Sequence, residues 1–171
     1  DAAGKLADLK KQLNLKTIPQ RIEAFDISNI SGQGAVGSMV VFAGGEPLPD
    51  EYRRFKIKMV HKINDYAMLK EVVNRRYGRV IREQKKLPEL ILIDGGKGQL
   101  NVAGGVLAEL GINNIPLIGL AKKFEHIFRP GESEPVILAK NSGGLHLVRH
   151  IRDEAHRFAL GYHRYLRGKL R

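Results

Sequence analysis

The chain has 171 residues and no cysteine or tryptophan. Without cysteine there are no disulfides and no thiolate metal sites, so any metal must take oxygen or imidazole ligands. The same absence fits a reducing compartment, and a cytoplasmic location is expected. No apolar run approaches the ~20 residues needed to span a bilayer, and Asp1-Ala2-Ala3-Gly4-Lys5 lacks the apolar core of a signal peptide. A soluble protein with no membrane contact is therefore expected. Acidic charge is also scarce: 18 Asp and Glu stand against 29 Lys and Arg, a formal net charge of +11. Such an excess favours a polyanionic partner, because every phosphate neutralised by a basic side chain releases counterions.

The basic residues fall into three groups. Arg53, Arg54, Lys56 and Lys58 form the first, and Arg75, Arg76, Arg79, Arg82, Lys85 and Lys86 the second. Arg149, Arg152, Arg157, Arg164, Arg167, Lys169 and Arg171 form the third. Most are separated by apolar or aromatic residues, the pattern of elements that bury one face and offer the other to phosphates.

Length and patterning predict one domain with a real core. Residues 3–13 pattern as an amphipathic helix on Leu6, Leu9 and Leu13, and Pro19 ends this lead-in of residues 1–20. Residues 21–28, 35–43 and 52–59 then read as strands of an antiparallel meander, the first two joined by the glycine-rich turn Ser31-Gly32-Gln33-Gly34. Asn64 is expected as a helix N-cap, followed by helical spacing from Tyr66 to Tyr77 up to Gly78, with Arg79 to Lys86 a linker or ragged helix end. Leu90-Ile91-Leu92-Ile93 is a continuous apolar run, the mark of a strand buried on both faces in a parallel sheet. A helix over 99–110, a short strand over 115–121, a hairpin within 124–138 and a long helix capped by Asn141 or Ser142 complete the order. The expectation is an α/β domain whose mixed central sheet of about five strands is flanked by helices, with a small hairpin added.

Two of the apolar stretches end in an aspartate, Asp26 and Asp94. A buried carboxylate loses hydration and is costly unless a cation, a hydrogen-bond network or a proton compensates it. Either acid alone is easily explained as a strand-end cap. Both together, converging at the carboxyl ends of neighbouring strands within a basic surround, suit Mg²⁺ or Mn²⁺ at a phosphate. His156 borders the apolar stripe of the last helix, where its imidazole could ligate the same metal or act as general acid or base. Gly95, Gly96 and Gly98 allow close approach after Asp94, and Lys97 could meet a phosphate, but the segment lacks the glycine spacing and the hydroxyl of a P-loop. His146 and His150, one helical turn apart, lack the glutamate of a zinc protease motif and are expected as surface or phosphate contacts. Arg149, Arg152 and Arg157 are expected as further phosphate contacts. The pattern points to a metal-dependent nuclease; a purely binding module with a basic face, or an enzyme acting on RNA hybrids or branched substrates, would share much of it.

Several runs carry a family resemblance: Phe25-Asp26-Ile27-Ser28-Asn29, Asp50-Glu51-Tyr52-Arg53-Arg54-Phe55, Asn64-Asp65-Tyr66, Leu92-Ile93-Asp94-Gly95-Gly96-Lys97-Gly98-Gln99-Leu100-Asn101, Gly119-Leu120-Ala121-Lys122 and Ile151-Arg152-Asp153-Glu154-Ala155-His156-Arg157-Phe158-Ala159. Together they closely resemble the carboxy-terminal endonuclease domain of UvrC, the incising subunit of bacterial nucleotide excision repair. The resemblance implies an RNase H-like domain over residues 21–171 that uses divalent metal to cut damaged double-stranded DNA on the 5′ side of a lesion. It also implies catalytic roles for Asp26, Asp94 and His156, and a further acid at Asp65. Asn29 stands where many members have histidine. A UvrB-type partner would be engaged through regions absent here, so the chain reads as an excised domain or a shortened homologue, expected to be a monomer.

Overall fold

The computed structural model describes residues 1–30, 34–59, 64–123 and 126–169. Most of the expected glycine-rich turn, Phe124 of the expected hairpin, and the side chains of Asn29, Arg167, Lys169 and Arg171 lie outside what is described.

The elements run α1 (Ala2–Gln12), β1 (Arg21–Ile30), β2 (Gly34–Ala43), β3 (Glu46–Pro47), a 3-10 turn (Pro49–Glu51) and β4 (Arg53–Lys56). They continue with α2 (Asp65–Arg82), β5 (Leu90–Ile93), α3 (Lys97–Glu109), β6 (Leu117–Leu120), β7 (His126–Phe128), β8 (Val136–Ile137) and α4 (Gly143–Lys169). One mixed sheet has the order β3-β2-β1-β5-β6-β7-β8, with β4 also paired to β2. It therefore has eight strands among the described residues, not about five. The additions are short pieces: β3 and β8 have two residues each, too few to leave a hydrophobic period in the sequence. The expected hairpin is present but joins the sheet, because β7 pairs with both β6 and β8.

The parallel centre follows from composition. Leu90, Ile91, Leu92 and Ile93 are all buried, as are the four residues of β6, so both faces of these strands need cover. Helices α2 and α3 pack together on one face and α1 and α4 on the other. Alternation along β1 then divides its side chains. Glu23 and Phe25 point to α2, where Phe25 meets Tyr77 edge-on at 5.8 Å between ring centres.

Helix α2 begins as expected, with the Asn64 side chain accepting from the backbone N–H of Ala67. It runs past Gly78 to Arg82 because the apolar stripe continues through buried Val80; the intrinsic cost of a mid-helix glycine, about 1 kcal/mol, is outweighed by that burial. Helix α1 buries Leu6 and Leu9, and its Asp8 carboxylate accepts the N–H of Gly144 at 2.7 Å. That contact satisfies an orphan donor in the first turn of α4, and Ser142 Oγ takes another from Leu145 at 3.2 Å. The start of α4 is thereby fixed to the lead-in helix.

Candidate active site

Sheet register brings the two aspartates side by side. In the parallel pair β1–β5, Ala24 lies beside Leu92 and Phe25 beside Ile93, so Asp26 and Asp94 occupy the next rung. The N–H of Asp94 still donates to the Phe25 carbonyl at 3.0 Å, which holds it in line although β5 has ended. Beyond it the chain turns tightly into α3. A Cβ at Gly95 would press on the Gln99 side chain at 3.0 Å, and one at Gly98 would collide with the Tyr66 hydroxyl. The glycines serve these close approaches, and the turn rests directly behind the carboxylate.

Helix α4 supplies the third group. Its stripe of Leu145, Val148, Ile151, Ala155 and Ala159 is buried against the sheet, and His156 sits at the stripe's edge. The imidazole Nε2 lies 2.5 Å from Asp94 Oδ2, with the carboxylate 12% and the imidazole 47% exposed. One ligand atom each from Asp26, Asp94 and His156 falls within 4.8 Å of the others. Two hard oxygens and one imidazole nitrogen at that spacing are a donor set for a divalent cation with open positions left over.

The electrostatics favour a cation as well. Burial, and then the nearby charge of Asp94, push the Asp26 carboxyl up to about 6, against the opposing pull of His156, the Ile27 N–H and Arg152. Two acids this close cannot both ionise cheaply without positive charge between them. Arg152 provides part of it. Its Nε lies 3.6 Å from Asp94 Oδ1 and its Nη1 donates to the Ala121 carbonyl at 3.1 Å, with the side chain only 15% exposed. Spacing of four residues on α4 places Arg152 beside His156, as the sequence suggests, but the guanidinium turns inward to the acid and the sheet end.

The other expected residues are dispersed around this centre. Asp65 is exposed in the first turn of α2 and lines a hollow of about 60 Å³ with Asp94, Phe25, Ile27, Leu69, Ile93 and Gln99; it stands outside the three-residue cluster. Lys97 donates to the Ser133 carbonyl at 2.5 Å and lies 5.4 Å from the centre of the Phe128 ring. Arg149 is exposed on α4. Arg157 is exposed and pairs with Glu154 at 2.5 and 2.8 Å. His150 is exposed and meets the Phe42 ring edge-on at 4.9 Å.

Sequence reasoning missed Ser38. It is directly opposite Asp26 in the β1–β2 register and buried, and its Oγ has no hydrogen-bond partner among the described residues. Only the register, which the sequence does not display, marks it as a neighbour of the acid.

Over residues 10–160 the sequence matches the UvrC RNAse H endonuclease domain family. Relatives named UvrABC system protein C are 55% identical over 169 residues in Dehalococcoides mccartyi, 50% over 172 in Methanosphaera stadtmanae and 47% over 167 in Moorella thermoacetica. Each alignment covers 96% of this chain but only 28%, 29% and 27% of the respective relative. The chain spans little more than a quarter of the length of these curated relatives. Among solved structures, Ciona intestinalis Endonuclease V in complex with a 24mer DNA containing an inosine followed by a ribo-adenosine is similar in fold. The TM-score is 0.50 at 14% identity, covering 96% of each chain.

Proposed function

The chain belongs to the UvrC RNAse H endonuclease domain family, and from that premise we propose that it hydrolyses one phosphodiester of damaged double-stranded DNA on the 5′ side of a lesion, using Mg²⁺ or Mn²⁺. The observation that carries this reading is the convergence of Asp26, Asp94 and His156 within 4.8 Å at the carboxyl end of the sheet.

Asp26 and Asp94 would hold the cation, which when bound supplies polarisation of the phosphate and a water of lowered pKa. The remaining work falls to the protein. The β1–β5 register sets the two carboxylates side by side to receive the cation, and His156 Nε2 either completes the ligand set or moves a proton at that atom. Arg152 tempers the charge of Asp94 from inside the site, while Lys97, Arg149 and Arg157 offer positive charge to flanking phosphates. Asp65, at the rim of the shared hollow, would act on a group entering beside Asp94.

The full relatives are about three to four times as long as this domain. Lesion recognition and engagement of a UvrB-type partner would therefore rest with segments outside it, and incision would take place in the cytoplasm. Among the described residues no helix is long and apolar enough to cross a membrane.

The test is a nicking assay on lesion-containing duplex in a reaction complemented with the partner proteins and the remaining segments. A cut on the 5′ side that needs Mg²⁺ or Mn²⁺ and disappears in Asp26→Asn and Asp94→Asn is expected. Full nicking by either variant would overturn the assignment.

A further inference from the structure

His156 is half exposed, so little packing around its own side chain fixes where the imidazole points. Its position depends on how α4 is rotated. At the level of His156 the buried stripe of α4 changes from Leu145, Val148 and Ile151 to Ala155 and Ala159. Alanines let the helix approach the sheet but interdigitate weakly, so they do little to set its rotation. A rotation of about 20° would carry the tip of a side chain roughly 2 Å, given a helix radius with side chains of about 5–6 Å. Such a shift would separate Nε2 from Asp94.

Edge strand β4 meets α4 at this level. The Tyr52 hydroxyl, one residue before the strand, donates to Glu154 Oε2 at 2.6 Å across 102 residues of sequence. The Arg54 guanidinium donates to the Phe158 carbonyl at 2.8 Å and lies 3.7 Å over the Phe158 ring. The Tyr52 ring also meets that of Phe158 edge-on at 5.0 Å. Glu154 and Phe158 are one turn apart and bracket His156, so the helix is gripped just before and just after the residue that reaches Asp94. Arg54 shares a cross-strand row with Asp26, through Ser38, so the grip belongs to the rung of the sheet that bears the acid.

We propose that Tyr52 and Arg54 are positioning residues for the His156 imidazole, setting the rotation of α4 from the edge of the sheet. The inference rests on the reading of Asp94 and His156 as parts of one site. Tyr52 reaches α4 through Glu154 and Phe158.

The experiment compares Tyr52→Phe, which deletes one hydroxyl and keeps the ring, with Arg54→Met, which keeps a packed stem and loses the fork. Imidazole ¹⁵N shifts of His156 are recorded at one fixed pH in cation-free protein, alongside Mn²⁺ binding by calorimetry and thermal melting. In both variants the His156 Nε2 signal is expected to move toward that of an imidazole without a carboxylate partner, and Mn²⁺ affinity to fall roughly ten-fold, the lower end for loss of an outer-sphere support. Unmoved His156 signals in both variants would overturn the proposal, whatever their melting temperatures. Should the unmodified protein bind no Mn²⁺, the metal reading fails on that observation, and the imidazole shift still decides the role of Tyr52 and Arg54.

Discussion

His156 Nε2 and Asp94 Oδ2 lie 2.5 Å apart although 62 residues separate them in the chain. The contact joins the end of a central strand to the terminal helix and leaves the imidazole able to serve in two ways. His156→Ala should lower incision by about 10²–10⁴-fold, the usual range for loss of a general acid or base. Imidazole added to the assay separates the roles. Partial recovery of rate with Mn²⁺ affinity unchanged in the variant identifies proton transfer, while weakened Mn²⁺ binding identifies a ligand.

Asp26 should weaken the fold that carries it. Its carboxyl is raised from 3.8 to about 6, so the charged form is disfavoured in the folded state. Stability from this group is complete below about pH 4 and is lost as pH rises through 6, a difference on the order of 2–3 kcal/mol by linkage. In chelator at pH 7.5, Asp26→Asn is expected to melt roughly 5 °C above the unmodified protein, given the few degrees per kcal/mol typical of this size. At pH 4 the two should melt together. Saturating Mn²⁺ should raise the melting temperature of the unmodified protein and not that of the variant. A variant that melts lower at pH 7.5 would contradict this account of the carboxyl.

The sequence made the two aspartates conspicuous because each closes a run of apolar residues, and it made the long helix legible because α4 repeats its stripe without interruption. It could not show that Ala24 aligns with Leu92, the rung that puts Asp26 beside Asp94. Register is set by packing on both faces at once, and β5 is apolar on both, so no alternation fixes it in the sequence. Glu23 was hidden for the same reason. It stands within an apolar run and is fully buried, and its partners Arg76 and Tyr77 arrive 53 and 54 residues later. After Gly78 the sequence leaves a linker and a ragged helix end open for a local reason: glycine has the propensity of a helix stop, while the tertiary stripe carries on to Val80.

Glu23 should matter to stability and not to chemistry. Its carboxylate accepts from Arg21 at 2.8 Å, from Arg76 at 3.0 and 3.3 Å and from the Tyr77 hydroxyl at 2.8 Å. Burial alone would push its pKa up; hydrogen bonds and charge from Arg76, followed by Arg21 and Tyr77, bring it below the ordinary glutamate value. The stabilisation is thus present above the unfolded pKa and lost as pH falls through the lowered one. Glu23→Gln leaves two guanidiniums facing a neutral group and should cost about 3 kcal/mol, as for a broken buried ion pair. Denaturant melts at pH 7 should show that loss, and Mn²⁺ affinity should stay within two-fold. A variant as stable as the parent would mean that the neutral amide satisfies the cluster equally well.

Arg152 provides the sharpest division between binding DNA and cutting it. A guanidinium that neutralises a phosphate in solution-facing geometry contributes close to one unit to the slope of log affinity against log salt. Arg152 is largely buried and engages Asp94 and the Ala121 carbonyl, so its charge is directed at the site and not at the flanking backbone. Arg152→Ala should then leave DNA affinity within about two-fold and the salt slope unchanged. Incision at saturating DNA should fall by roughly 10²-fold, because Asp94 loses the cation that steadies its charge and orientation. Lys97→Ala, which removes an exposed ammonium, should behave in the opposite sense, lowering the slope by nearly one unit with a smaller effect on the saturated rate. Filter-binding or anisotropy titrations at several salt concentrations, paired with single-turnover nicking, make the comparison. If Arg152→Ala reduces the slope as Lys97→Ala does, its guanidinium leaves Asp94 for a phosphate once DNA is bound.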